Sequence, residues 1–297
     1  MVWHCGPHRF DVAARPLVLG IVNVTPDSFS DGGLHATTEA AVAHALKLAS
    51  EGTDLLDIGG ESTRPGATPV SIDDELDRVV PVIRAVRSQC PVPISIDTRN
   101  AAVAEEALKA GACIINDVSG FRDPTMIRVA AGTDAGLIAM HLRGDPTTMQ
   151  IDPNYDDVVT EIGKYFDGCI STLISAGIDR NRIALDPGIG FGKTLDHTLQ
   201  QLARLGDYGR FGLPICLGAS RKGFLGQITG RARNERLAGT LAVNCFALAK
   251  HTAHIFRVHD VAEMRDAVLL WRAIRDQHVS TIIATALPPP RHSEARP

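Results

Sequence analysis

The sequence has no apolar run long enough for a membrane-spanning helix, no Cys-x-x-Cys pair and no dense cluster of basic side chains. The first absence removes the membrane as an expected partner, since about 18 consecutive apolar residues are needed to cross it. The stretch 1–15 also lacks the apolar segment of a secretion signal, so the expected location is cytoplasmic. The six cysteines, Cys5, Cys90, Cys113, Cys169, Cys216 and Cys245, are widely spaced, which fits buried free thiols better than disulfides or zinc ligands. With 30 Lys and Arg against 34 Asp and Glu, the net charge is -4. Nucleic acid is therefore not an expected partner, and an anionic substrate must be met by a local site. No Pro/Gly/Ser-rich linker divides the chain, and no His/Asp/Glu spacing forms a protein-only metal cage. Asn23-Val-Thr25 has the form of a glycosylation sequon, but Pro26 follows it and no secretion signal precedes it.

What is present is alternation. Short β-rich apolar runs at 17–23, 54–58, 94–97, 113–116, 136–140, 183–186, 214–217 and 254–258 alternate with helical patterns at 38–51, 72–88, 101–110, 125–131, 155–176, 195–205, 235–250 and 261–277. In the second helix Leu76, Val79, Val80, Ile83 and Val86 follow the i, i+3, i+4, i+7 spacing. Strands that are apolar throughout, joined by helical crossovers, indicate a parallel sheet. Eight βα units in 297 residues predict an α/β fold of one domain, a single (β/α)8 TIM barrel over 17–277. A leader at 1–16 precedes it, and a tail at 278–297, expected to be largely disordered, follows.

In such a barrel chemistry sits at the C-terminal ends of the strands. Those ends carry, in order, Asn23, Asp57, Asp97, Asn116 with Asp117, His141, Asp186, Ser220-Arg221-Lys222 and Arg257 with His259. Any one of them has an ordinary reading, as a helix cap or a satisfied core histidine. Eight polar ends converging on one rim make the site. The seventh and eighth ends suit a multiply charged anion, since barrels commonly bind phosphate there. Asp97, Asn116 and Asp186 can pair the donors and acceptors on the edge of a polar fused ring. The loop from Asp57 to Ala67 holds two glycines and the run Glu61-Ser62-Thr63-Arg64, more hydrogen-bonding groups than a connection requires. The text Asp186-Pro-Gly-Ile-Gly-Phe-Gly-Lys-Thr194 looks like a P-loop, but Pro187 stands where its first glycine belongs; a Gly-rich turn approaching a ring closely is the remaining account.

Together these stretches resemble the dihydropteroate synthases, pterin-binding (β/α)8 enzymes of folate synthesis. The resemblance rests on Gly20-Ile-Val-Asn-Val-Thr-Pro-Asp-Ser-Phe-Ser-Asp-Gly-Gly33, the loop from Asp57 to Ala67, Ser95-Ile-Asp-Thr98, Ile115-Asn-Asp-Val-Ser-Gly120, Met140-His141 with Thr148-Met-Gln150, Leu185 to Thr194, Gly218-Ala-Ser-Arg-Lys-Gly-Phe-Leu225 and Arg257-Val-His259. It implies condensation of 6-hydroxymethyl-7,8-dihydropterin pyrophosphate with 4-aminobenzoate, giving 7,8-dihydropteroate and pyrophosphate. It further implies that Asp97, Asn116, Met140, Asp186, Phe191, Gly218 and Lys222 hold the pterin. Asn23, Thr63, Arg257 and His259 would hold the pyrophosphate, with Mg2+ at Asn23. Phe29, Ser62, Thr63, Arg64, Pro65, Ser220 and Lys222 would surround the aminobenzoate, and sulfonamides would compete there. The catalytic groups would be Asp97, Lys222, Arg257 and His259, the loops 25–35 and 61–70 would close as lids, and the chain would form a homodimer through its late helices. Local text departs from the family at Leu142-Arg-Gly-Asp-Pro146 and Asp196-His-Thr198, leaving open whether Arg143 borders the site. Two other readings stay in view. A methyltetrahydrofolate-dependent methyltransferase would have no use for the anion site of strands seven and eight, and a non-catalytic pterin-binding paralogue would have lost loop residues, none of which is missing.

Overall fold

The computed structural model describes residues 1–25, 33–62, 69–144 and 148–277. Expectations for Phe29, Thr63, Arg64, Pro65, both lid loops in part and the tail 278–297 fall outside them.

The chain opens with a hairpin, β1 (Val2–Cys5) paired antiparallel with β2 (His8–Asp11). There follow β3 (Leu17–Asn23), α1 (Gly33–Ser50), β4 (Leu55–Gly59), α2 (Ile72–Gln89), β5 (Ile94–Asp97), α3 (Ala101–Ala110), β6 (Ile114–Asp117), α4 (Pro124–Ala131), β7 (Gly136–Met140), α5 (Val158–Ser175), β8 (Ile183–Asp186) and α6 (Leu195–Ala203). The last quarter holds β9 (Cys216–Leu217), α7 (Gly223–Thr229), α8 (Leu237–Ala249), β10 (Ile255–Val258) and α9 (Val261–Asp276). From β3 to β10 all pairings are parallel, in the spatial order β8-β7-β6-β5-β4-β3-β10-β9. A bridge between Leu185 and Ile215, with Leu185 N–H donating to Pro214 O at 2.9 Å, joins the two edge strands and closes the barrel. The expected (β/α)8 barrel is the observed one. Its seventh strand is shorter than the apolar run 214–217 because Pro214 has no N–H to give the ladder, and α7 is an additional helix where the sequence showed no helical pattern.

Two apolar layers hold the barrel. Outside, the strands' outer faces pack on the helices; α2 is capped by Ser71, whose Oγ accepts from Asp74 N at 3.1 Å, and buries Val79, Val82, Ile83 and Val86. Inside, Leu17, Leu19, Leu55, Ile114, Ile138, Ala184, Cys216 and Ile255 form a separate cluster with Trp3, Cys5 and Val12. The segment read as a leader thus plugs the N-terminal mouth of the barrel. Trp3 is fully buried, and its indole N–H donates to Arg182 O at 2.9 Å.

Candidate active site at the C-terminal rim

Strand geometry assigns the site residues. Side chains alternate in direction along a strand, so the inner face that carries Leu17 and Leu19 on β3 next carries Ile21 and Asn23. By the same alternation Asp57 follows Leu55, Asn116 follows Ile114, Met140 follows Ile138, Asp186 follows Ala184 and Arg257 follows Ile255, with Gly218 just beyond β9 on the face of Cys216. Asp97 lies beside both neighbours in register, opposite Gly59 and Asn116. The polar groups therefore form a layer on top of the inner apolar core, and above them opens a cavity of about 530 Å³. Asn23, Ser62, Asp97, Phe191, Gly218, Ser220, Lys222, Arg257 and His259 line it. Asn116, Met140 and Asp186 are not among the lining residues; they lie buried behind them, each no more than 6% exposed.

The polar groups form two charge clusters. In the first, Arg257 Nε donates to Asp57 Oδ2 and its terminal nitrogen to Asp97 Oδ2, both at 2.6 Å, while Asn116 Nδ2 donates to Asp57 Oδ2 at 3.1 Å. Two carboxylates share one guanidinium. Burial pushes Asp97 up to about 7; Arg257 opposes that rise and Asp57 adds to it. Burial disfavours the charge on Arg257 as well, but Asp57 and Asp97 outweigh it and hold the guanidinium firmly protonated. Asp57 Oδ1 and Asp97 Oδ1 are buried without a hydrogen-bond partner among the described residues. Such acceptors are costly unless a donor arrives. Asp57 is fully buried against Arg257 and Asn116, whereas the start of the loop that follows it is held by Glu61, which accepts from Arg99 Nε at 2.9 Å and Nη2 at 2.8 Å.

In the second cluster Asp186 accepts from Gly188 N at 2.7 Å, and burial raises its pKa against the pull of Lys222. Lys222 donates to Ile189 O and lies 4.3 Å over the Phe191 ring. Burial lowers it to about 8, with Asp186 opposing. A side chain added at Gly218 would lie 3.8 Å from Asp186 Oδ2 and 4.0 Å from Lys222 Nζ, so the glycine keeps this space open to a flat ligand. Ser220 Oγ is 2.9 Å from His259 Nδ1 and accepts from His259 N at 3.2 Å. Burial, with Arg257, Arg221 and Arg233, lowers His259 to about 3. Its surroundings thus disfavour the cationic form of this histidine. Arg221 also lines the cavity, but the Nε/Nη2 edge of its guanidinium is paired to the Asp260 carboxylate.

Several cavity residues have no role in the sequence reading, among them Lys193, Thr198, Gln227, Arg233 and Arg236. Lys193 is 4% exposed; its Nζ donates to Phe191 O at 2.8 Å and lies 3.1 Å from His141 Nδ1. Burial, then Lys193, lowers His141 to about 2. Lys193 thereby fastens the Gly-rich turn to the end of β7. The turn comes so close that a Cβ on Gly188, at φ +64°, would meet His141 O at 2.0 Å, a spacing only glycine permits. The signal was the lysine of the P-loop-like text, set aside together with the nucleotide reading. Arg143 stacks 4.4 Å over Tyr155 and pairs with Glu161 at 3.1 Å, so it braces the surface beside the turn and does not line the cavity.

For a divalent cation the donors are few. Among the described residues no three His, Cys, Asp or Glu side chains gather into a metal-binding group, and Asn23 offers one amide oxygen at the cavity wall. That set fits a hard ion that brings most of its oxygens as water and substrate phosphate.

Residues 19–259 match the model of the pterin binding enzyme family. The chain is 46% identical to the dihydropteroate synthase of Escherichia coli K12 over 255 residues, 86% of this chain and 90% of that relative. It superimposes with a TM-score of 0.87 on the Yersinia pestis dihydropteroate synthase solved with a sulfonamide drug, at 44% identity over 93% of this chain and 100% of that one. The Xanthomonas albilineans dihydropteroate synthase solved with 4-aminobenzoic acid also gives 0.87, at 46% identity over 92% and 98%. The chain belongs to the pterin-binding enzyme family.

Proposed function

We propose that the chain catalyses the dihydropteroate synthase reaction of folate synthesis, transferring the pterin-methyl group of 6-hydroxymethyl-7,8-dihydropterin pyrophosphate to the nitrogen of 4-aminobenzoate. The observation that carries this reading is the pair of charge clusters, Asp57–Arg257–Asp97 and Asp186–Lys222, which present Asp97, Arg257 and Lys222 to one cavity. The pterin edge is read by Asp97, Asn116 and Asp186, whose acceptors lack donors or can exchange them, and Phe191, Met140 and Gly218 bound its faces. Arg257 and His259 meet the pyrophosphate. Ser220, Ser62 and Lys222 border the space left for 4-aminobenzoate, the ligand of the Xanthomonas relative; sulfonamides, as in the Yersinia relative, would compete for it. Purified protein supplied with both substrates should release pyrophosphate and dihydropteroate in equal amounts; pterin binding without product would mark a binding protein instead.

The arylamine is already neutral and needs no base before it attacks. The barrier lies in departure of pyrophosphate from the exocyclic methylene, which leaves positive charge spread into the ring. Asp97 stabilises that charge, while the Arg257 guanidinium and the His259 N–H stabilise the leaving oxygen. Mg2+ held at Asn23 would neutralise charge on the phosphates. Two titrations then bound activity. Asp97 acts ionised, so kcat/KM for the pterin substrate should fall as pH drops through about 7. Lys222 acts protonated, so it should fall again as pH rises through about 8. A flat profile between about pH 5 and 9 would remove both assignments.

The working form proposed is a cytoplasmic homodimer. Among the described residues no helix is long and apolar enough to cross a membrane. Phe246 on α8 and Leu270 and Ile274 on α9 are 45%, 64% and 77% exposed, an apolar surface that a second copy would cover. Sedimentation should give twice the chain mass of 31.8 kDa, and Leu270→Glu with Ile274→Glu should return it to a monomer.

A further inference from the structure

Asp57 is the one member of the charge clusters to which the proposed function gives no contact with substrate, yet its carboxylate touches both ends of the site. It is fully buried on β4, and its Oδ2 accepts from Arg257 Nε at 2.6 Å and from Asn116 Nδ2 at 3.1 Å. An ionised carboxylate can only accept hydrogen bonds. The amide of Asn116 must therefore turn its NH2 toward Asp57, which leaves its carbonyl oxygen as the acceptor offered to a ligand. The same oxygen holds Arg257 by the Nε edge, so the outer nitrogens of the fork, one of them now on Asp97, remain the ones able to turn to an incoming anion.

We propose that Asp57 is a positioning residue for both halves of the pterin substrate: it fixes the amide direction of Asn116 and the guanidinium plane of Arg257 through a single oxygen. The inference rests on the reading of Asn116 and Arg257 as pterin and pyrophosphate ligands. In the resting site Arg257 bridges Asp57 and Asp97. When a cationic or hydrogen-bonding pterin edge engages Asp97, the Arg257 bond to Asp97 is exchanged for one to phosphate, while the bond to Asp57 persists. Binding at one end thus releases the group needed at the other, with the guanidinium pivoting about a fixed Nε.

The test is Asp57→Asn, which keeps the shape and removes the charge. Groups that orient a metal ligand from behind typically contribute about 10- to 100-fold, and an effect of that order is expected here. The variant should weaken inorganic pyrophosphate and 6-hydroxymethylpterin binding by about that factor each, and lower kcat/KM for the pterin substrate, while the KM for 4-aminobenzoate stays within about two-fold. A merely structural role would instead lower all three affinities, that for 4-aminobenzoate included, to a similar extent. Unchanged pyrophosphate and pterin affinities in Asp57→Asn would overturn the proposal. If Asn116→Ala and Arg257→Lys leave those affinities unchanged as well, the ligand assignments themselves fall. A second measurement needs no buried-charge variant. In the wild-type protein labelled with 15N-arginine, the Nε–H signal that Arg257→Lys abolishes should stay protected from solvent exchange both free and with pterin and pyrophosphate bound. Loss of that protection on binding would show that Asp57 lets go, contrary to the proposal.

Discussion

Asn in place of Asp97 is expected to lower kcat about 10²- to 10³-fold, the usual effect of removing one electrostatic partner of a transition state, with the KM of both substrates little changed. The split follows from where the charge is needed. The resting pterin is neutral, and an amide can still accept a hydrogen bond from its edge. The charge on position 97 matters when pyrophosphate leaves and the ring becomes cationic. The structure adds a reason for the affinity to survive: Arg257 loses one partner but remains held by Asp57 at 2.6 Å. The variant should also lose the fall in activity as pH drops through about 7, because that limb is assigned to Asp97. Stopped-flow turnover with saturating substrates measures the first effect, and kcat unchanged in Asp97→Asn would remove this residue from the mechanism.

The second large effect concerns Arg257. Its replacement by Met leaves Asp57 and Asp97, two buried carboxylates, without their shared cation. Removing one partner from a buried ion network typically costs about 3–5 kcal/mol of stability, and here two acceptors are stranded at once. Activity should fall by at least the factor expected for Asp97→Asn if Arg257 is the cation that meets the pyrophosphate, as proposed above. The two losses can be separated. Adding Asp57→Asn to Arg257→Met removes the stranded charge, so urea unfolding should show the double variant more stable than the single one, while activity stays low. Equal or lower stability of the double variant would mean that Arg257 and Asp57 do not form the unit described.

The barrel was legible because its strands are short β-branched runs cut off by Gly, Pro and Asp; the spans 17–23, 94–97, 136–140 and 183–186 match β3, β5, β7 and β8 to the residue. The ring of polar strand ends was legible for the same reason, since the C-terminal end of each run could be located. What lay hidden has three physical causes. The strands are apolar on both faces, so the alternation that lifts Asp57, Asn116 and Arg257 above the inner core leaves no period-2 pattern. The bond between Arg257 and Asp57 joins residues 200 apart and needs the barrel to close before it exists. The hairpin β1–β2 has strands of four residues each, too short to stand on their own pattern, and Trp3 acquires its role only from the barrel mouth it fills.

In the proposed reaction pyrophosphate leaves before the arylamine forms its bond, with Asp97 and Arg257 stabilising the separated charges. Single-turnover synthesis of dihydropteroate from dihydropterin pyrophosphate dideuterated at the exocyclic methylene tests this directly. As the methylene carbon opens toward planarity in the transition state, the labelled substrate should react measurably more slowly than the unlabelled one. Equal rates in a turnover limited by chemistry, or no dihydropteroate at all, would contradict the account.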